Sequence, residues 1–121
     1  MKALADCLRE LDDDAFRVFH GAYYGEDGLQ PPAGSPGLTA WNEALRSLAD
    51  EEYDRRSGFT LLRATDYAPA LRTAARMMTD KELAEQLYVA NWILNLSVHD
   101  PLGQYQYRLG LLLLEEQRRR Q

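Results

Sequence analysis

Residues 79–98 read Thr-Asp-Lys-Glu-Leu-Ala-Glu-Gln-Leu-Tyr-Val-Ala-Asn-Trp-Ile-Leu-Asn-Leu-Ser-Val. The stretch opens on a helix start. Thr79 offers a hydroxyl as N-cap, and Glu82, three residues on, completes a capping box with it. Asp80 and Glu82 put negative charge in the first turn, where the helix dipole favours it. No helix breaker follows before Val98. From Leu87 onward the residues are apolar nearly all round, whereas a surface helix needs a stripe of roughly 100°. The spacing predicts a helix over 79–98 that is covered on more than one side.

The next helix follows at once. Asp100 suits an N-cap and Pro101 the first helical position. Residues 109–114, Leu-Gly-Leu-Leu-Leu-Leu, again leave little polar face. Arg118, Arg119 and Arg120 end the helix where cations suit the dipole. These two helices are expected to form a central hairpin with other helices packed on both sides, or, as readily for the last helix, to present a self-association face or a partner groove.

Upstream, Asp66 can cap a helix that carries Pro69 in its first turn and presents Tyr67, Leu71, Ala74 and Met78 on one face. Residues 60–65 read as a short helical turn. Thr39 caps a helix running to about Ser57, with Trp41, Leu45, Leu48, Ala49 and Tyr53 at helical spacing, and Gly58 stops it. At the start, Leu4, Leu8, Leu11, Ala15, Val18 and Ala22 form one stripe, with Phe16, Phe19 and Tyr23 beside it. Asp12 is a poor mid-helix residue and a good cap, so two helices over roughly 2–11 and 13–24 are expected, with one long helix as the alternative because the stripe runs through without a phase break. Gly25 suits a C-terminal cap.

Residues 25–38 hold four Gly and three Pro, a density of breakers that no regular element survives. The fold class expected is therefore all-α: a compact bundle of five or six helices in one domain over 1–121. Its parts are an N-terminal helical hairpin over 1–24, a flexible Gly/Pro-rich loop over 25–38, and a main bundle over 39–121. Neither a period-two strand pattern, a sustained heptad nor an internal repeat is evident.

Composition narrows the function classes. The chain has 121 residues and a mass of 13.8 kDa, 45% hydrophobic and 27% charged, as in ordinary globular domains. No run of 18 apolar residues exists, so no membrane span is expected. Asp6 interrupts the apolar stretch that a signal peptide needs. Cys7 is alone, which excludes an intrachain disulfide and a cysteine zinc cluster, and its neighbours Leu4, Leu8 and Leu11 suggest a small buried hydrophobe. A cytoplasmic location is the simplest expectation.

The net charge of −5 is unevenly spread. Residues 1–54 carry −8 and residues 55–121 carry +3. Such a balance argues against nonspecific nucleic-acid coating. Arg72 and Arg76 lie four apart on one face, which is thin support for a recognition helix, so nucleic acid is not an expected partner.

Catalytic candidates are sparse. His99-Asp100 supplies the dipeptide of an all-helical HD-type phosphohydrolase, but His20 is the only further histidine and Asp100 is better read as a cap. His20, beside Phe19 and Tyr23, reads as a packed or half-exposed histidine. Nucleotide pyrophosphohydrolases hold magnesium with acids on two helices. Here Glu51, Glu52 and Asp54 would need a facing cluster for which only Glu82 and Glu85 are available. No metal, no cofactor and no enzyme activity is expected.

Binding is the remaining class. The acidic face Asp12, Asp13, Asp14, Glu43, Asp50, Glu51, Glu52 and Asp54 suits a basic partner surface, as in small acidic inhibitor, immunity or adaptor proteins. Tyr88, Asn91, Trp92 and Asn95 form a candidate aromatic patch. Leu109, Gly110, Leu112 and Leu113 form a candidate self-association face, so a homodimer is expected. The alternative is a helical regulatory domain that homodimerises and binds DNA or a small ligand.

Overall fold

The computed structural model describes residues 4–24, 35–58, 66–97 and 101–121, with the side chains of 22–24, 92–97 and 102 left out. These residues form six helices and no strand: α1 (Leu4–Arg9), α2 (Asp13–Tyr24), α3 (Pro36–Arg56), α4 (Ala68–Met77), α5 (Asp80–Ser97) and α6 (Pro101–Arg119). The all-α bundle follows from the sequence, and so do most of the helix boundaries.

The cap residues act as their chemistry dictates. The amide of Ala15 donates to Asp12 Oδ1 at 2.7 Å and that of Phe16 to the Asp12 carbonyl at 2.9 Å, so Asp12 separates α1 from α2. The Thr79–Glu82 capping box is closed in both directions, at 2.8 and 3.1 Å. The amide of Ala68 donates to Asp66 Oδ1 at 3.0 Å. Gly58, at φ +92°, ends α3 in a conformation that L side chains rarely adopt. Pro101 opens α6; the cap expected at Asp100, like Gly25 and the 60–65 turn, lies outside the described residues.

Three expectations are corrected. The 25–38 segment is not a loop throughout, because α3 begins at Pro36, not after Thr39. Proline is at home in a first helical turn, where its missing N–H has no partner to lose. Gly37 is then required by packing: a Cβ there would lie 2.6 Å from the amide nitrogen of Met78. Second, the stripe through Ala15 and Val18 does not continue inward. Val18 is 76% exposed while Phe16 and Phe19 are buried, because the break before Asp12 starts α2 in a new phase. Third, of the expected central pair only α6 is packed on by several helices, α1, α4 and α5; among the described residues α5 packs chiefly on α6.

The N-terminal hairpin is part of the core. Cys7 and Leu8 are completely buried with Leu71, Ala75 and Tyr105, and α1 packs on both α3 and α6. A six-residue helix has no stability of its own, so α1 depends on those contacts.

The structure reveals an internal repeat that was not evident in the sequence. Helices α1–α3 and α4–α6 are two versions of one three-helix unit. In the first two helices of each unit the buried positions Leu4, Cys7, Leu8, Leu11 and Phe16 match Leu71, Ala74, Ala75, Met78 and Leu83, all 67 residues on. In the third helix Trp41, Leu45, Leu48, Ala49 and Glu52 match Tyr105, Leu109, Leu112, Leu113 and Glu116, 64 residues on. Each unit's third helix packs on the other unit's first helix, α3 against α4 and α6 against α1.

Each unit is locked by the same device. Glu52, 5% exposed, pairs with Arg55 and Arg56; Glu116, also 5% exposed, pairs with Arg119 and Arg120. Arg56 reaches Asp13 at 2.7 Å and the carbonyls of Leu8 and Leu11 at 3.1 and 2.6 Å. Arg120 reaches Asp80 at 2.8 Å and the carbonyls of Ala75, Arg76 and Met78 at 3.2, 3.2 and 2.7 Å. In both units an arginine at the end of the third helix satisfies the last carbonyls of the first helix and binds the first residue of the second. The signal lies in the sequence. Leu45-x2-Leu48-x2-Glu51-Glu52-x2-Arg55-Arg56 recurs as Leu109-x2-Leu112-x2-Glu115-Glu116-x2-Arg119-Arg120.

Candidate partner-binding surfaces

The eight carboxylates of the sequence-predicted acidic face divide by what they touch. Asp12 caps α2, and Asp13 is bound to Arg56. Glu52 is buried among arginines, and its hydrogen bond raises the Arg55 pKa further. Glu51 accepts from the Tyr67 hydroxyl at 2.8 Å. These four act within the fold. Asp14, Glu43 and Asp50 are exposed and Asp54 is half-buried. Glu43, Asp50 and Asp54 lie seven and four residues apart, which places them on one stripe of α3.

His20 sits beside that stripe. Its ring stacks on Tyr53 at 4.7 Å and on Phe16 at 5.7 Å, and Nε2 is 3.8 Å from Asp50 Oδ1. It is a packed histidine, as its neighbours imply. Among the described residues no group of three or more His, Cys, Asp or Glu side chains is placed to hold a metal ion, and no helix is long and apolar enough to cross a membrane. His99 and Asp100 lie outside the described residues.

The repeat redraws the charge division. The first unit with its flanks, residues 1–58, carries twelve acids and six bases, a formal −6. Residues 59–121 carry seven acids and eight bases, a formal +1. Arg55 and Arg56 belong to the acidic unit, where they bind Glu52.

The second surface is a groove between α5 and α6 of about 270 Å³. It is lined by Leu87, Ala90 and Asn91 from α5 and by Gln106, Tyr107, Gly110, Leu111, Leu114 and Gln117 from α6. Among the described residues no charged side chain lines it. Of the aromatic patch expected on α5, Tyr88 is 72% exposed and Asn91 is exposed; the Trp92 and Asn95 side chains lie outside the description. Of the self-association residues, Leu109, Leu112 and Leu113 fill the chain's own core, and only Gly110 reaches the groove. Sequence spacing did not single out Leu111 and Leu114, because in an all-leucine run nothing distinguishes the inward from the outward side.

Comparison with known proteins finds no family model that matches the chain and no curated protein or solved structure similar to it.

Proposed function

We propose that the protein is an interaction module, an inhibitor, immunity or adaptor protein in type, that engages a basic partner surface through its first three-helix unit. The observation that carries this reading is the stripe Glu43, Asp50 and Asp54 on α3, within a unit of formal charge −6 beside a second unit that is nearly neutral. Carboxylates on a helix fixed in a core meet arginine and lysine of a partner with little loss of backbone freedom. Their field also steers the encounter, so association falls with salt. Four of the eight expected carboxylates serve the fold, so the partner face is narrower than the sequence suggests.

The test is affinity capture from the native cell with the wild type and with a Glu43→Gln, Asp50→Asn, Asp54→Asn triple variant. The expected result is a basic partner retained at low salt, released by about 0.5 M salt, and lost with the triple variant. Retention that neither salt nor the variant changes would refute the reading.

A further inference from the structure

The two units carry the same surface position twice, with opposite chemistry. On α3 the exposed residues Glu43, Arg46, Ser47 and Asp50 are polar or charged. Their counterparts on α6, 64 residues on, are Tyr107, Gly110, Leu111 and Leu114, which wall the α5–α6 groove. The preceding helix follows suit: His20, which stacks on Tyr53, corresponds to Leu87, and Tyr53 to Gln117; Leu87 and Gln117 both line the groove. A face that meets water in one copy of the unit has become apolar in the other. From this internal contrast we infer that the α5–α6 face is covered by a second copy of the chain, in a two-fold dimer with Gly110 near the axis.

Three observations identify the occupant. Helix α5 reads as apolar nearly all round over residues 87–97, yet among the described residues it packs chiefly on α6. Tyr107 and Leu111, which wall the groove, are two of the seven large apolar side chains exposed among the described residues. Second, this face belongs to the unit of formal charge +1. Two copies joined here keep their −6 units apart, whereas joining through α2 and α3 would set like charges against each other. Third, among the described residues nothing in the chain's own packing requires Gly110. The one described atom that a Cβ there would meet is Ala90 Cβ, at an ordinary 3.8 Å. Glycine inside a helix costs about 1 kcal/mol relative to alanine, and close approach of another helix is the use that offsets it. The face is two helices wide and, from the 18 residues of α5, about 27 Å long, room for the ~800 Å² per partner of a standard interface.

The inference is independent of the acidic stripe, and its test separates the two. Light scattering on the full chain at tens of micromolar is expected to give twice the 13.8 kDa monomer mass, unchanged in 0.5 M salt and in the α3 triple variant. A 13.8 kDa mass would overturn it, and the groove would then await another protein's apolar helix. Leu111→Glu and, separately, Tyr107→Glu are expected to give monomers with unchanged helical circular dichroism. Ser47→Glu, at the matching position on α3, is expected to remain dimeric. A dimer that survives both groove variants assembles elsewhere and overturns the proposal. Gly110→Cys reads the geometry directly: oxidation is expected to cross-link two chains, since native Cys7 is completely buried. A dimer that Gly110→Cys fails to cross-link refutes the two-fold at that point.

Discussion

Arg120, one residue beyond α6, donates from Nη2 to the carbonyl oxygen of Met78 at 2.7 Å, fastening the end of the chain to the end of α4. Arg56 does the same for Leu11 at 2.6 Å. A helix end leaves carbonyls without intrahelical partners. The planar guanidinium reaches those carbonyls, the following aspartate and the buried glutamate together, which no other side chain can do.

Truncating either arginine leaves a buried carboxylate without one of its cations. Arg56→Ala is expected to lower unfolding stability by about 3 kcal/mol, and Arg120→Ala to lower it in the same direction. Lysine is expected to recover only a small part, because one ammonium cannot span the set of acceptors. Urea melts of the four variants check this. Equal stability of Arg120→Lys and wild type would contradict the multidentate role.

Glu116 gives the chain an acid-sensitive lock. Hydrogen bonding to Arg119 and then Arg120 lowers its pKa from 4.5 to about 2. A carboxylate whose folded pKa is depressed contributes stability that is complete above its unfolded pKa and is lost as pH falls toward the folded one. The Tm of the wild type is therefore expected to fall between about pH 4.5 and pH 2. Glu116→Gln starts from a lower Tm at pH 7 and loses less over that window. A variant whose acid limb parallels the wild type would locate the sensitivity elsewhere.

The glycines differ in what they tolerate. Gly37→Ala forces a Cβ into the backbone of Met77 and Met78, contacts of 2.6–2.8 Å that no flexible side chain relieves. A loss of about 3 kcal/mol is expected, as for other strongly overpacked sites. Gly21, inside α2 with none of the described residues within 4 Å of its Cβ position, is the contrast. Gly21→Ala is expected to add roughly 0.5–1 kcal/mol through helix propensity. Thermal melts of the pair read the difference in sign.

The Thr79 cap joins three helices. Glu82 accepts from the Thr79 amide, and its other oxygen accepts from the hydroxyl of Ser35 just ahead of α3, which together hold its carboxyl below the usual range. Thr79→Ala is expected to lower stability by about 1 kcal/mol. Ser35→Ala is expected to cost less, because it removes a bond between helices and leaves the capping box closed. Denaturant titrations of the single and double variants measure any coupling between them.

Much of this architecture is legible along the chain. Asp12, Asp66 and the Thr79–Glu82 pair mark helix starts because capping is chemistry between residues two or three apart. Pro101 and Gly58 mark boundaries because they restrict or free their own backbone. Cys7 and His20 read as packed side chains from their immediate neighbours. Where local rules compete, local reading fails. The density of Gly and Pro before Leu38 hides that Pro36 opens a helix, and the Leu4–Ala22 stripe hides the phase change at Asp12.

The sequence by itself determined an all-α bundle of five or six helices, where most of them begin, and a charge imbalance toward the N-terminal half. Only the tertiary structure decided which carboxylates face water, which leucines of the 109–114 run are inside, and that the chain is one unit used twice. The reason is the range of the interactions. A cap or a turn is settled within one helical turn, but Glu52 becomes buried, and Leu111 stays outside, only when helices distant in sequence close around them.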